Sequence, residues 1–128
     1  MGMRRRSIDV PGLEHANPIP NASVVGNLLV TGGVSGTDPA SGQVPDDPAA
    51  EVAQAFANLR AILDTAGATL DAVAKITVFV QDRAFRTHVN PVWTDLFPDP
   101  ASRPARHTLQ TPLSGVRIQL ECLAVLDG

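Results

Sequence analysis

The chain has 128 residues, 44% of them hydrophobic and 18% charged, with a net charge of −3 and a pI near 5.4. That balance fits one globular domain with a true core and excludes wholesale disorder. It also counts against a general nucleic-acid binder, which needs a basic surface.

The single cysteine, Cys122, leaves no internal disulfide and fits a reducing, cytoplasmic setting. No apolar run approaches the ~20 residues that span a bilayer, so no membrane partner is expected. The start, MGMRRRSIDV, lacks the apolar core of a signal peptide and places Arg6 where a myristoylation signal wants Ser or Thr. Arg4–Arg6 read as a solvated terminus, with phosphate contact as the alternative. Residues 1–128 form one domain in this reading, with 1–17 as an extended N-terminal segment.

The stretch HANPIPNASVVGN is rich in Pro and Asn, and Pro18 and Pro20 bias it toward an extended edge segment. Leu28–Thr31 reads as the first core strand. Gly32-Gly33 then ends or bulges it, or lets a ligand come close to the backbone. Thr37–Gly42 is a turn cluster. Asp47-Pro48 reads as a helix cap followed by proline at the first helical position, opening a helix to about Ala66. Val52, Phe56, Leu59 and Leu63 make its apolar stripe, and Gly67 closes it. Leu70–Val73 reads as a short helical turn and Ala74–Val80 as a strand.

In that strand Ile76, Val78 and Val80 share one face, with Lys75, Thr77 and Phe79 on the other. Both faces are therefore partly apolar. Arg86–Phe97 reads as a second helix with Val89, Val92 and Leu96 on its buried side. Pro91 is expected to kink it or to mark its true first turn. Two helices cover only one face of a sheet, so self-association is the simplest way to bury the other.

Ala105–Thr111 and Val116–Leu126 read as two strands joined by a Pro/Ser/Gly turn, a hairpin with an irregular loop. Alternation puts Arg106 and Thr108 on one face of the first strand. Arg117, Gln119 and Glu121 share one face of the second, opposite Ile118, Leu120, Cys122 and Ala124. An arginine within a strand is a candidate clamp for a small carboxylate, since its planar fork suits one. The competing reading is an internal ion pair, with Glu121 as a candidate partner. Glu121 could hold a water or take a proton, or merely accept backbone bonds. His107 should point away from Arg106, and Cys122 belongs with the apolar face. Trp93, the only tryptophan, suits packing or an interface pocket. No phosphate-cradling loop, GxSxG or HExxH is present, and the histidines lack metal-ligand spacing. No metal is expected.

The segments VGNLLVTGGVSGTDPASGQVP, FANLRAILDTAGATLDAVAKITVFVQD, VNPVWTDLFP and RPARHTL…RIQLECLAV resemble the RidA/YjgF family of reactive-intermediate deaminases, from about Pro18 to Val125. The resemblance implies a chorismate-mutase-like α+β fold, a mixed sheet with two helices on one face. It also implies a homotrimer with sheets facing inward and clefts between subunits. It implies hydrolysis of 2-imino or 2-enamino acids to 2-oxo acids and ammonia, without a cofactor. Arg106 matches the family's carboxylate clamp, Gly33 its carboxylate-binding amide, and Asn90 its VN asparagine. Three positions depart from the pattern: Ile19 stands where the family has tyrosine, Thr108 where it has cysteine, and Gln119 where it has the water-positioning glutamate. Glu121 then matches a second family glutamate. Non-catalytic ligand binding and ribonuclease activity are the competing functions.

Overall fold

The structure, a computed structural model, describes residues 4–127. Met1–Met3 and Gly128 lie outside them, whereas Arg4–Arg6 lie within and are exposed, as expected of a solvated basic stretch. Strands β1 (Arg5–Ile8), β2 (Ala22–Val25), β3 (Leu28–Thr31) and β4 (Val34–Ser35) precede helix α1 (Pro48–Thr65). Then come β5 (Val73–Val80), helix α2 (Arg86–Leu96), β6 (Ala105–Gln110) and β7 (Ile118–Val125). The seven strands form one mixed sheet in the order β1-β2-β3-β7-β5-β6, with β4 also pairing β7. No helix among the described residues is long and apolar enough to cross a membrane.

Helix α1 follows from its sequence directly. The Asp47 carboxylate accepts from the Ala50 amide at 3.0 Å, and Pro48 needs no partner for the N–H it lacks. Gly67 follows the last turn at φ +80°, a conformation that glycine adopts without strain. Val52, Phe56, Leu59 and Leu63 are all buried, and they pack on Ile76, Val78, Val80, Ile118, Leu120, Cys122 and Ala124 of the sheet. Each such side chain contributes roughly 1.5–3 kcal/mol when removed from water.

Helix α2 differs from expectation in its interior. It runs unbroken through Pro91. Pro91 removes the bond to the Thr87 carbonyl, yet both residues are exposed and water can satisfy that oxygen. Val89 and Trp93 form its buried side, while Val92 and Leu96 are only half-buried. Trp93 packs edge-on to Phe56, with ring centroids 6.4 Å apart, and so anchors α2 to α1. The Arg103 Nε donates to the Phe97 carbonyl at 2.8 Å and closes the helix C-terminus.

The expected hairpin of β6 and β7 does not form. β5 lies between them, parallel to β6 and antiparallel to β7. The reason is the connection: β5, α2 and β6 make a crossover unit, which lays its two strands side by side in parallel. Arg117 also departs from the alternation, because it precedes β7 and turns toward the helices. Its Nε pairs with the fully buried Glu51 of α1 at 2.5 Å, and its backbone N–H donates to the other Glu51 oxygen at 2.8 Å. The Arg117 Nη2 donates to the Pro45 and Asp46 carbonyls, tying the approach to α1 onto the start of β7.

The N-terminal segment is extended, and within it Arg5–Ile8 forms the sheet's edge beside β2. Asn21 holds the intervening loop: its amide oxygen accepts from Val10 N, and its NH₂ donates to the Leu13 carbonyl. The face of the sheet away from the helices is uncovered. Val25, Leu28 and Val125 line up across β2, β3 and β7, and Val30 lies beside Leu123, all at 38–46% exposure. Five large apolar side chains in one strip form a surface that water penalises.

Candidate functional site

Register decides which side chains can meet. On β6, Arg106 lies beside Ile76 of β5, which lies beside Cys122 of β7. Ile76 and Cys122 face the helices, so Arg106 does too. Thr108 pairs with Val78 and shares that side. His107 pairs with Thr77, and Thr77 with Glu121, so this polar row lies on the helix-free face. His107 therefore points away from Arg106, and an Arg106–Glu121 ion pair is ruled out.

Arg106 is held by α2. Its Nη2 donates to the Asn90 side-chain oxygen at 2.8 Å, and its guanidinium carbon lies 5.0 Å from the centre of the Trp93 ring. Such a cation–π contact is worth roughly 0.5–2 kcal/mol. Asn90 and Trp93 stand three residues apart, on one face of the helix. Trp93 is thus both core packing and a platform for the arginine. The Arg106 Nη1 is buried and has no hydrogen-bond partner. Leaving a buried donor unpaired costs roughly 1–3 kcal/mol, and more for a charged group. Burial holds the guanidinium below its ordinary value, and the like charge of Arg86 pushes in the same direction. The one ion pair among the described residues is Arg117–Glu51, so no carboxylate neutralises Arg106. A partly buried cation with an unused donor and no counter-ion has the chemistry to hold an anion.

The remaining candidates gather elsewhere. Gly33 lies between β3 and β4, both of which pair with β7. The ladder breaks there, and the Thr31 hydroxyl accepts from Cys122 N at 2.9 Å in its place. Gln119 lies on β7 opposite Ser35, with its side chain against Gly33. A Cβ at position 33 would sit 3.1 Å from the Gln119 amide oxygen. Its φ is not positive, so a side chain at 33 would be limited by space rather than by backbone strain, and the Gln119 amide would have to shift to admit one. Glu121 is exposed on the same helix-free face. Ile19 sits in the loop before β2 and is 48% exposed. A cleft of about 380 Å³ has Gly33 in its wall, along with Leu13, His15, Ser35 and Asn58, but not Arg106.

Arg106, Asn90, Trp93 and Thr108 thus form one cluster, and Gly33 and Gln119 form another. Two strand spacings, roughly 10 Å, and the thickness of the sheet separate them. Sequence reasoning missed Glu51, Arg117 as its partner, and Arg86. Arg86 could have been found, because it precedes Asn90 and Trp93 by four and seven residues. Among the described residues no group of three or more His, Cys, Asp or Glu side chains could hold a metal.

Comparison with known proteins agrees with the resemblance seen in the sequence. Residues 13–126 match the family model described as Endoribonuclease L-PSP. The chain is 34% identical over 104 residues to the 2-iminobutanoate/2-iminopropanoate deaminase of Escherichia coli K12, covering 79% of this chain and 81% of that one. A Thermotoga maritima structure described as a putative endoribonuclease superposes with a TM-score of 0.87 at 32% identity, over 96% and 98% of the two chains. The YjgF gene product of E. coli superposes at 0.85 and 29% identity, over 94% and 98%. With the α+β fold and the family match in agreement, this chain belongs to the RidA/YjgF, or L-PSP, family.

Proposed function

We propose that the protein assembles as a homotrimer of chorismate-mutase-like subunits with inward-facing sheets, and that clefts between subunits hydrolyse small 2-imino or 2-enamino acids. The observation that carries this reading is the Arg106 guanidinium, stacked on Trp93, braced by Asn90, and left with a buried donor and no counter-ion. The apolar strip of Val25, Leu28, Val30, Leu123 and Val125 supports the assembly. So does the separation of the two residue clusters, since a second copy can bring the Gly33–Gln119 side of one subunit to the Arg106 side of another.

In such a cleft Arg106 and the Gly33 amide hold the substrate carboxylate. Asn90 fixes the arginine, and Thr108, Trp93 and Ile19 shape the wall. The Gln119 amide, donor and acceptor at once, orients a water toward the imine carbon. The water oxygen bonds to that carbon as one water proton passes to nitrogen, giving a carbinolamine; the hydroxyl proton then moves to the amino nitrogen as the C–N bond breaks, leaving the 2-oxo acid and ammonia. Glu121 can relay these protons only if the assembly brings it near. Holding a reactive imine beside an oriented water supplies much of the acceleration. The test is hydrolysis of 2-iminobutyrate and 2-iminopropionate generated in situ, with wild type and Arg106→Ala compared. Acceleration lost in the variant supports the reading, and equal rates in both refute it.

Gln119 favours a second reading, a trimer that binds a small carboxylate without turning it over, because an amide cannot take a proton from water. Saturable binding that needs Arg106, without acceleration by wild type, would select it. Ribonuclease activity is disfavoured by the net charge of −3.

A further inference from the structure

The candidate site carries a second arginine. Arg86 opens α2, and Arg86, Asn90 and Trp93 stand at successive helical spacings of four and three on one face. Asn90 and Trp93 are the two residues that hold Arg106, so Arg86 lies one turn further along the same wall. Its position is electrostatically unfavourable. Asp82 caps the short helical turn that leads into α2, but its side chain accepts from the Ala84 amide and forms no ion pair with Arg86. The like charge of Arg106 repels it. The one ion pair among the described residues lies elsewhere. A chain with net charge −3 nevertheless keeps two cations without ion-pair partners along one wall.

We infer that Arg86 forms a subsite for a second negative charge, so that the preferred ligand is a dianion: a 2-imino or 2-oxo acid carrying another carboxylate. The geometry suits a short diacid. Arg86 starts about 5–6 Å from Asn90, the residue that holds the Arg106 guanidinium, so its long side chain can reach a second carboxylate a few carbons from the first. Arg106 takes the carboxylate next to the reacting carbon, and Arg86 takes the distal one. This inference rests on Arg106 as the clamp for the first carboxylate.

The test uses the stable products as probes. Titration calorimetry compares 2-oxoglutarate with 2-oxobutyrate on wild type, Arg86→Gln, Arg86→Lys and Arg106→Ala at low and moderate salt. Wild type is expected to prefer the diacid at least tenfold, the order expected for one added charge contact near a surface. Salt should erode that preference. Arg86→Gln should reduce the ratio to within about twofold, and Arg86→Lys should restore most of it, since the subsite needs charge rather than a fork. Equal affinities in wild type, or a preference that survives Arg86→Gln, would overturn the inference. Loss of both ligands in Arg106→Ala tests the clamp separately, and imine turnover tests the chemistry separately. A missing diacid preference beside normal Arg106-dependent binding would therefore count against Arg86 alone.

Discussion

If each cleft draws Arg106 from one subunit and Gly33 with Gln119 from its neighbour, two inactive variants should rescue one another. Arg106→Ala removes the clamp on the helix side of β6. Gly33→Val fills the space beside Gln119, where even a Cβ would lie 3.1 Å from the amide oxygen. The backbone at 33 has no positive φ, so valine adds bulk there without backbone strain. Each variant alone should show background imine hydrolysis. Chains co-expressed in equal amounts and mixed at random put an intact half on each side of a cleft with a probability of about one quarter, whatever the ring size. Differently tagged chains purified in sequence should then recover at least that fraction of wild-type activity per chain. Binding stoichiometry for 2-oxobutyrate gives the same readout without turnover. Background activity and background binding in oligomers that mass spectrometry shows to be mixed would refute the shared cleft, and with it the assignment of the two clusters to one site.

Other consequences are open to measurement. Arg117→Ala leaves the Glu51 carboxylate fully buried and unpaired, and should cost roughly 3–5 kcal/mol by denaturant titration at fixed protein concentration. The double change Glu51→Leu with Arg117→Met should regain most of that loss, whereas a loss below about 1 kcal/mol for Arg117→Ala would mean the pair is screened. Gln119→Glu restores a proton acceptor beside Gly33 and should raise imine hydrolysis by about tenfold or more; an unchanged rate would show that the water is not handled there. Burial pushes the Cys122 thiol up to about 12. Because the folded value exceeds the unfolded one, the contribution is complete below about pH 8.5 and is lost as pH rises toward 12. Cys122→Ala should flatten that alkaline decline, and thiol reagents at pH 8 should label the wild type only upon unfolding.

What the sequence disclosed follows a physical division. Helix α1 was readable in full, because Asp47-Pro48, the four-residue stripe and Gly67 are local signals. Strands β5 and β7 were readable by their alternation. Pairing was not, since a strand's own period says nothing about its neighbour. The crossover through α2 was the clue that β6 belongs beside β5, and the nearness of β6 to β7 in sequence obscured it. The same misreading set Arg106 beside Gln119 and Glu121, when register turns it to the other side. β1 and β2 are short and flank Pro-rich turns, so their ladder was hidden. Arg106 and the Gly32-Gly33 pair were legible from their places in or beside a strand, whereas Asn90 was legible only through the family resemblance. Glu51 went unseen because a carboxylate among apolar positions gives no hint of the arginine 66 residues away that neutralises it.

β7 has a consequence for how the molecule is made. Ile118–Val125 pairs with β3, β4 and β5, so it joins two halves of the sheet that have no ladder between them. A nascent chain that has reached β6 therefore carries two open strand edges, and its helices have only part of a surface to rest on. Closure must wait for the most distant segment in the sequence, which makes folding slow for a domain of this size. Until then, the vacant slot between β3 and β5 can accept the β7 of another chain as readily as its own. Synthesis of many copies on one messenger brings such donors close together, so exchange of this strand is the characteristic hazard of the topology.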